Sequence, residues 1–209
     1  MAASSVSRLA MQLQEYFDQL APTWDKEVTP ERLKSLAKIV KELGIEPGYH
    51  VVDMGSGTGV LVPFLIAELA GQGEIVALDF SAEMLVQAKA KISSPIVRFA
   101  QADVVAIPLA DNSVDLAVCN SAFPHFSDKA KALKEIVRVL RNNGRLVICH
   151  TMSREMLNQL HQSIGGAVAN DLLPDESQLK RLIRQAGLKI THFEDGPERY
   201  LVIAEKSAH

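Results

Sequence analysis

Two cysteines in 209 residues, Cys119 and Cys149, leave too little material for a disulfide framework, and with no C-x-x-C pair a Cys-rich zinc site is excluded as well. No stretch approaches the ~20 consecutive apolar residues of a bilayer-spanning helix, and Met1 to Ala10 carries one arginine and no apolar signal-peptide core. These absences lead to the expectation of a cytoplasmic protein without a membrane span. Basic residues form no block: 22 Lys and Arg face 25 Asp and Glu, a net charge of -3, so there is no electrostatic footprint for a nucleic-acid backbone. A small-molecule substrate is the expected partner. No internal repeat or low-complexity tract is present, and no feature fixes an oligomeric state. What remains is a chain of 47% hydrophobic residues, long enough for one well-buried core. We read it as a single domain over 1–209, with a cap segment at 1–28 and a core at 29–209.

Elements alternate along that core. Leu9 to Leu20 is amphipathic, with Leu9, Leu13, Tyr16, Phe17 and Leu20 at helical spacing before a break at Pro22. Thr29 and Pro30 open a second helix to Leu43, which Gly44 closes. Strands are expected at Tyr49–Met54, Glu74–Asp79, Ile96–Ala100, Val114–Cys119, Arg145–Cys149, Lys189–Glu194 and Tyr200–Ala204. Helices are expected at Leu61–Ala70, Ser81–Ile92, Lys129–Leu140 (ended by Asn143-Gly144) and Ser177–Ala186. Near-continuous apolar strands such as Ile75-Val76-Ala77-Leu78 belong to a parallel sheet covered on both faces, and the final hairpin about Gly196-Pro197 adds an antiparallel strand. The fold class is therefore α/β, a doubly wound and mostly parallel sheet with an N-terminal helical cap.

Directly after the first core strand stands Asp53-Met54-Gly55-Ser56-Gly57-Thr58-Gly59. Glycines here let the backbone turn tightly and leave its amides bare to a ligand at the next helix N-terminus. A dinucleotide fingerprint requires G-x-G-x-x-G, whereas this spacing is G-x-G-x-G with Val60 in the third glycine's place. Asp53 also repels a diphosphate and suits a cationic amino group. The loop resembles motif I of class I S-adenosylmethionine-dependent methyltransferases, and the order of elements from about Pro30 to Lys206 resembles their seven-stranded, Rossmann-like fold. The resemblance implies S-adenosylmethionine as cofactor, with Asp53 near its methionine moiety and Gly55, Ser56, Gly57 and Gly59 beneath it. Asp79-Phe80-Ser81-Ala82-Glu83-Met84 looks like the family's motif II, in which the strand-end acid accepts both ribose hydroxyls and Phe80 and Met84 follow it. In similar enzymes the acid corresponding to Asp103 meets the adenine amino group, and the amide of Val104 a ring nitrogen. Tyr16-Phe17-Asp18-Gln19-Leu20-Ala21-Pro22-Thr23-Trp24-Asp25 resembles the segment before the core in methyltransferases like those of ubiquinone and menaquinone biosynthesis, which implies a cap over the site.

The acceptor side is read from the segments that come after strands four and five. Asn120-Ser121-Ala122-Phe123-Pro124-His125 passes beside the reactive methyl in this fold; Asn120 is a cofactor contact and His125 either a base or a residue that orients the loop. His150, Arg154 and His161 complete the catalytic candidates. If Ser153 caps a helix, Arg154, Asn158 and His161 share one face, with Arg154 suited to an acceptor carboxylate or phosphate. A metal held by His150 and His161 with Glu155 or His125 matches no strong ligand spacing, and no metal is assigned. Cys119 and Cys149 end neighbouring strands and are placed within reach of each other, although the cysteine-rich pattern of arsenite methyltransferases is absent. The expected activity is methyl transfer to a small molecule, the acceptor atom remaining open. The alternative is a non-catalytic protein that binds or senses S-adenosylmethionine, and a nicotinamide-linked oxidoreductase is disfavoured by Val60.

Overall fold

A computed structural model describes residues 2–208, with side chains from Met11 onward. Helices α1 (Ala2–Leu20) and α2 (Pro30–Glu42) precede a sheet built from β1 (His50–Met54), β2 (Glu74–Asp79), β3 (Val97–Gln101), β4 (Val114–Asn120), β5 (Leu140–His150), β6 (Leu188–Asp195) and β7 (Tyr200–Lys206). Between the strands run α3 (Val62–Leu69), α4 (Ala82–Lys91), α5 (Lys129–Val139), α6 (Arg154–Ile164) and α7 (Glu176–Gln185). The seven strands lie in the order β3-β2-β1-β4-β5-β7-β6, and β7 alone runs against its neighbours. The chain reverses direction across the sheet between β1 and β4, the place where a doubly wound sheet opens a crevice at its carboxyl edge.

Side-chain alternation explains why the strands read as continuous apolar runs. Val51, Ile75, Ala77, Leu116, Val118, Val147 and Cys149 pack under α2 and α3 through Leu36, Ile39, Val40, Leu61, Leu65 and Leu69. Val52, Val76, Leu78, Ala117, Cys119, Leu146 and Ile148 point the other way, to Ala132, Leu133 and Ile136 of α5 and Leu179 and Ile183 of α7. Both faces are buried, so both parities must be apolar. The same parity corrects the expectation for the cysteines. Cys119 pairs in register with Ile148 and Cys149 with Asn120, so the two thiols lie on opposite faces of the sheet. Burial raises both thiols above their ordinary value, Cys149 to about 12, as befits small apolar residues.

Several boundaries move for local reasons. The segment after α1 is a 3-10 helix, Ala21–Glu27, in which Pro22 supplies the first turn, and the packing of Leu9 falls outside the described side chains. Asn143-Gly144 does not end a helix. α5 stops at Val139, Leu140 already pairs with Val114, and the next paired residue is Arg145, so residues 141–144 bulge outward with Asn143 at φ 63°. Arg141, within the bulge, holds Asp115 at 2.6 and 2.7 Å. α7 begins just before Ser177, capped two residues earlier by Asp175 in a reciprocal capping box with Gln178. Among the described residues no helix is long and apolar enough to cross a membrane.

Leu65 is fully buried between α3 and the sheet. Leu65→Ala is expected to lower unfolding free energy by about 2–5 kcal/mol in a denaturant titration, without altering ligand affinity at the far edge of the sheet.

Candidate functional site

The loop after β1 is shaped by close approach rather than by flexibility. The amides of Gly55 and Ser56 both donate to the carbonyl of Leu78 (2.8 and 3.0 Å), which draws the loop across the end of β2. Gly55 has φ 69°, and a Cβ there would stand 2.3 Å from Cβ of Ala122 at the end of β4. Gly57, at φ 55°, differs: its missing Cβ would project between Met84 Sδ and Trp24 Nε1, each 4.0 Å away, into open space. Gly59 turns its bare side toward Ala88 and Ile92 and serves packing rather than the cavity.

That open space is a cavity of about 930 Å³ including its mouth. Gly55, Ser56, Gly57, Asp79, Phe80, Met84, Asp103, Val104, Asn120 and His125 all face it, while Leu13, Phe17 and Trp24 roof it from the N-terminal segment. Asp79 is 4% exposed; its Oδ2 accepts from the Gly57 amide (2.8 Å) and its Oδ1 from the Ser81 amide (2.9 Å). Each oxygen keeps a lone pair for a further donor. Ser81 caps α4 through Met84 N and donates its hydroxyl to Asp18 of the cap. Asp103 is held by the Val105 amide at 3.1 Å. The Ser56 hydroxyl is buried without a partner. A carboxylate with spare acceptors, an unpartnered hydroxyl, a bare glycine and apolar walls from Phe80, Met84 and Val104 fit a nucleoside carrying a polar tail.

Asp53 is not on this wall. It is buried behind the Gly55 turn with Oδ2 unpartnered, and burial, then the neighbouring Asp79, pushes its pKa up to about 7. Asp79 is itself raised by burial to about 6.

A second cavity opens beside the first, and Phe17, Trp24, Arg32, Ser121 and His125 line both. Its remaining wall is mostly apolar, with Tyr16, Met152, Leu157, Leu160, Ile164 and Val168, and it contains His150, Thr151 and His161. Three of the four catalytic candidates thus meet here. His125 Nδ1 lies 2.8 Å from Asp171 Oδ2, and its ring contacts Phe17 edge-on and His161 at 4.9 Å between centroids. Burial lowers the His125 pKa, opposed by Asp171. His161 Nδ1 bonds the Asp171 carbonyl. His150 is 1% exposed with neither ring nitrogen partnered, and burial holds it down at about 3.

Arg154 does not join them. Ser153 caps α6 as expected, but the Arg154 amide bonds Asp195 and its guanidinium lies 3.7 Å from that carboxylate, outside both cavities. Asn158 is spent on both backbone groups of Leu173, fixing the segment that carries Asp171. Among the described residues no group of three or more His, Cys, Asp or Glu side chains is arranged to hold a metal ion.

Arg32 and Asp171 escaped the sequence reading. Arg32 sits in the first turn of α2 and reads as a solvated helix residue; Asp171 lies in an irregular stretch with no periodicity. The only signal for Asp171 was Asn158, whose carboxamide is suited to tie down a nearby loop.

Comparison with known proteins agrees with this geometry. A methyltransferase domain family matches residues 52–148. The chain is 32% identical over 172 residues to a demethylmenaquinone methyltransferase of Corynebacterium kroppenstedtii, covering 71% of this chain and 72% of that one. It is 38% identical over 113 residues to a ubiquinone/menaquinone biosynthesis C-methyltransferase of Bdellovibrio bacteriovorus, covering 53% and 48%. The chain thus spans less than two thirds of several curated relatives that it matches. A SAM-dependent methyltransferase from Aquifex aeolicus superposes with a TM-score of 0.74 at 25% identity, over 90% of this chain and 97% of that one.

Gly57→Ala should leave the fold intact at a cost of about 1–2 kcal/mol for its left-handed backbone, yet weaken S-adenosylhomocysteine binding about tenfold or more in calorimetry. Gly55→Ala should destabilise the protein itself, because its Cβ would stand 2.3 Å from Cβ of Ala122 on a left-handed backbone. The raised carboxylates make stability pH-dependent. Their contribution is complete below the ordinary aspartate value of 3.8 and is lost as pH rises through about 6 for Asp79 and about 7 for Asp53. Asp53→Asn is therefore expected to stabilise the protein above about pH 7 and to flatten its denaturation midpoint between the acid range and that point.

Proposed function

Because the chain belongs to the class I S-adenosylmethionine-dependent methyltransferase family, we propose that it methylates a small aromatic acceptor of the quinol class, bound in the second cavity, with His125 as the base. The observation that carries this reading is the shared wall. The cavity suited to the cofactor opens onto an apolar chamber, and the imidazole paired with Asp171 stands at the junction.

The cofactor supplies an electrophilic methyl group, so the chain's task is to position the acceptor in line and to remove the proton that the acceptor loses. On the donor side, Asp79 would hold the ribose hydroxyls, Phe80, Met84 and Val104 would flank the base, and Asp103 would meet its amino group. Gly57 leaves the room for that approach. Asp171 fixes the His125 ring through Nδ1, which leaves Nε2 to accept a proton, and it stabilises the imidazolium that results. His161 keeps the Asp171 segment in place through its carbonyl. Phe17 and Trp24 close over both chambers and keep water from the transfer. The quinol class rests on the apolar lining of the second cavity together with the quinone-biosynthesis relatives; Arg154, paired with Asp195, gives no support to a phosphate-bearing acceptor.

The test is to incubate the protein with methyl-labelled S-adenosylmethionine and a short-chain demethylmenaquinol and to locate the label by mass spectrometry. Label on a ring carbon supports the reading. Cofactor binding with no transfer to any hydroxylated aromatic overturns it. His125→Gln is expected to lower kcat by about 10²–10⁴ with S-adenosylhomocysteine affinity preserved. Since burial keeps the His125 pKa below its ordinary value, activity should fall only as pH drops below the usual imidazole range.

A further inference from the structure

Arg32 is the cation of the site without a countercharge. Its Nε is buried with no partner, its one hydrogen bond is from Nη2 to Ser121 Oγ at 3.4 Å, and among the described residues no carboxylate pairs with it. Arg138, Arg141 and Arg199, by contrast, each hold one or two carboxylates within 3 Å. Leaving a guanidinium half-buried and unpaired is costly unless a ligand completes it.

Across the second cavity stands His150, at the carboxyl end of β5. Both of its ring nitrogens are buried without a partner, and it lines the second cavity but not the first. Tyr200, which pairs with it in register on β7, packs edge-on against its ring at 6.0 Å between centroids. Two unpartnered nitrogens at that depth amount to a donor and an acceptor reserved for something not in the chain.

We propose that Arg32 and His150 form an oxyanion subsite of the second cavity, which binds a deprotonated hydroxyl oxygen of an aromatic acceptor. This rests on the reading of that cavity as the acceptor chamber. Arg32 supplies the charge, and His150 supplies one N–H. The positive charge of Arg32 is among the causes that keep His150 neutral, after burial and the neighbouring His125 and His161. A neutral imidazole keeps a single N–H to give, and its other nitrogen remains free to accept from a second hydroxyl on the same ring. His125 with Asp171 occupies the opposite role, taking up a proton, so the chamber separates a site for negative oxygen from a site for a proton in transit. An acceptor held as its oxyanion is electron-rich at the adjoining ring carbon, which is the quality that attack on a methyl group requires.

The same guanidinium also borders the first cavity, so the oxyanion could come from the cofactor's carboxylate instead; the experiment separates the two. The probe is p-nitrophenol, whose phenolate absorbs in the visible, added to the full-length protein saturated with S-adenosylhomocysteine. The wild type should increase the phenolate band at fixed pH by lowering the probe's apparent pKa. Arg32→Gln should weaken phenolate binding about tenfold or more, Arg32→Lys should restore part of it, and His150→Phe should weaken it severalfold. The neutral ether p-nitroanisole should bind without regard to Arg32. In parallel, calorimetry compares S-adenosylhomocysteine with methylthioadenosine, which lacks the amino-acid tail. If Arg32→Gln weakens the former, spares the latter and leaves the phenolate band unchanged, the guanidinium serves the cofactor and the proposal is overturned. It also falls if S-adenosylhomocysteine binds normally but the wild type does not perturb the probe. No binding of S-adenosylhomocysteine at all would remove the methyl-transfer reading on which it rests.

Discussion

The carboxylate of Asp79 is the joint on which the cofactor side of this molecule turns. One oxygen holds the amide of Gly57 and the other the amide of Ser81, so a single side chain fixes the loop leaving β1 against the helix following β2. Ser81 then caps α4 and reaches Asp18, which brings α1 down onto the core. Glycine loop, sheet edge, helix and cap are thereby linked through two residues close together in the chain. A group placed so centrally is kept on its raised pKa by burial, and its remaining lone pairs face the cavity. In the proposed cofactor site, the geometry that organises the loop is also the geometry that would meet a ribose.

The fold was legible because its signals are periodic. Alternating apolar strands and caps such as Thr29, Ser81 and Ser153 announce their role through local chemistry, whereas Gly59, expected beneath the cofactor, packs against Ala88 and Ile92. The misreadings arose where tertiary pairing overrode local preference. Asn143-Gly144 carries a turn signature, yet the ladder with β4 absorbs those residues as a bulge in a longer strand. Strand parity could have been counted for Cys119 and Cys149, but only the register of β4 on β5 makes the count decisive. Asp53 is expected near the methionine moiety from its charge and its place before the glycine loop; the structure buries it with Oδ2 unpartnered, away from the cavity lining.

The acceptor side was legible only in part. His125 and His150 are singled out because they follow strand ends, and His161 by the helical spacing after Ser153; the structure brings all three to the second cavity. Arg154 met the same spacing test but turns to Asp195 at the end of β6, a neighbour the sequence does not reveal. Arg32 and Asp171 come from segments far away along the chain. Convergence of that kind is a property of the folded path, and no local pattern encodes it.

Phe17, Trp24 and Arg32 line both cavities at once. The two chambers therefore have one roof, and Trp24 is anchored to it beside Asp25, which bonds Thr58 of the glycine loop and Lys91 of α4. In the proposed reading, cofactor and acceptor would therefore be enclosed by the same three side chains. Residues of the 13–32 stretch, which lies outside the sheet ladder, thus border both chambers at its edge.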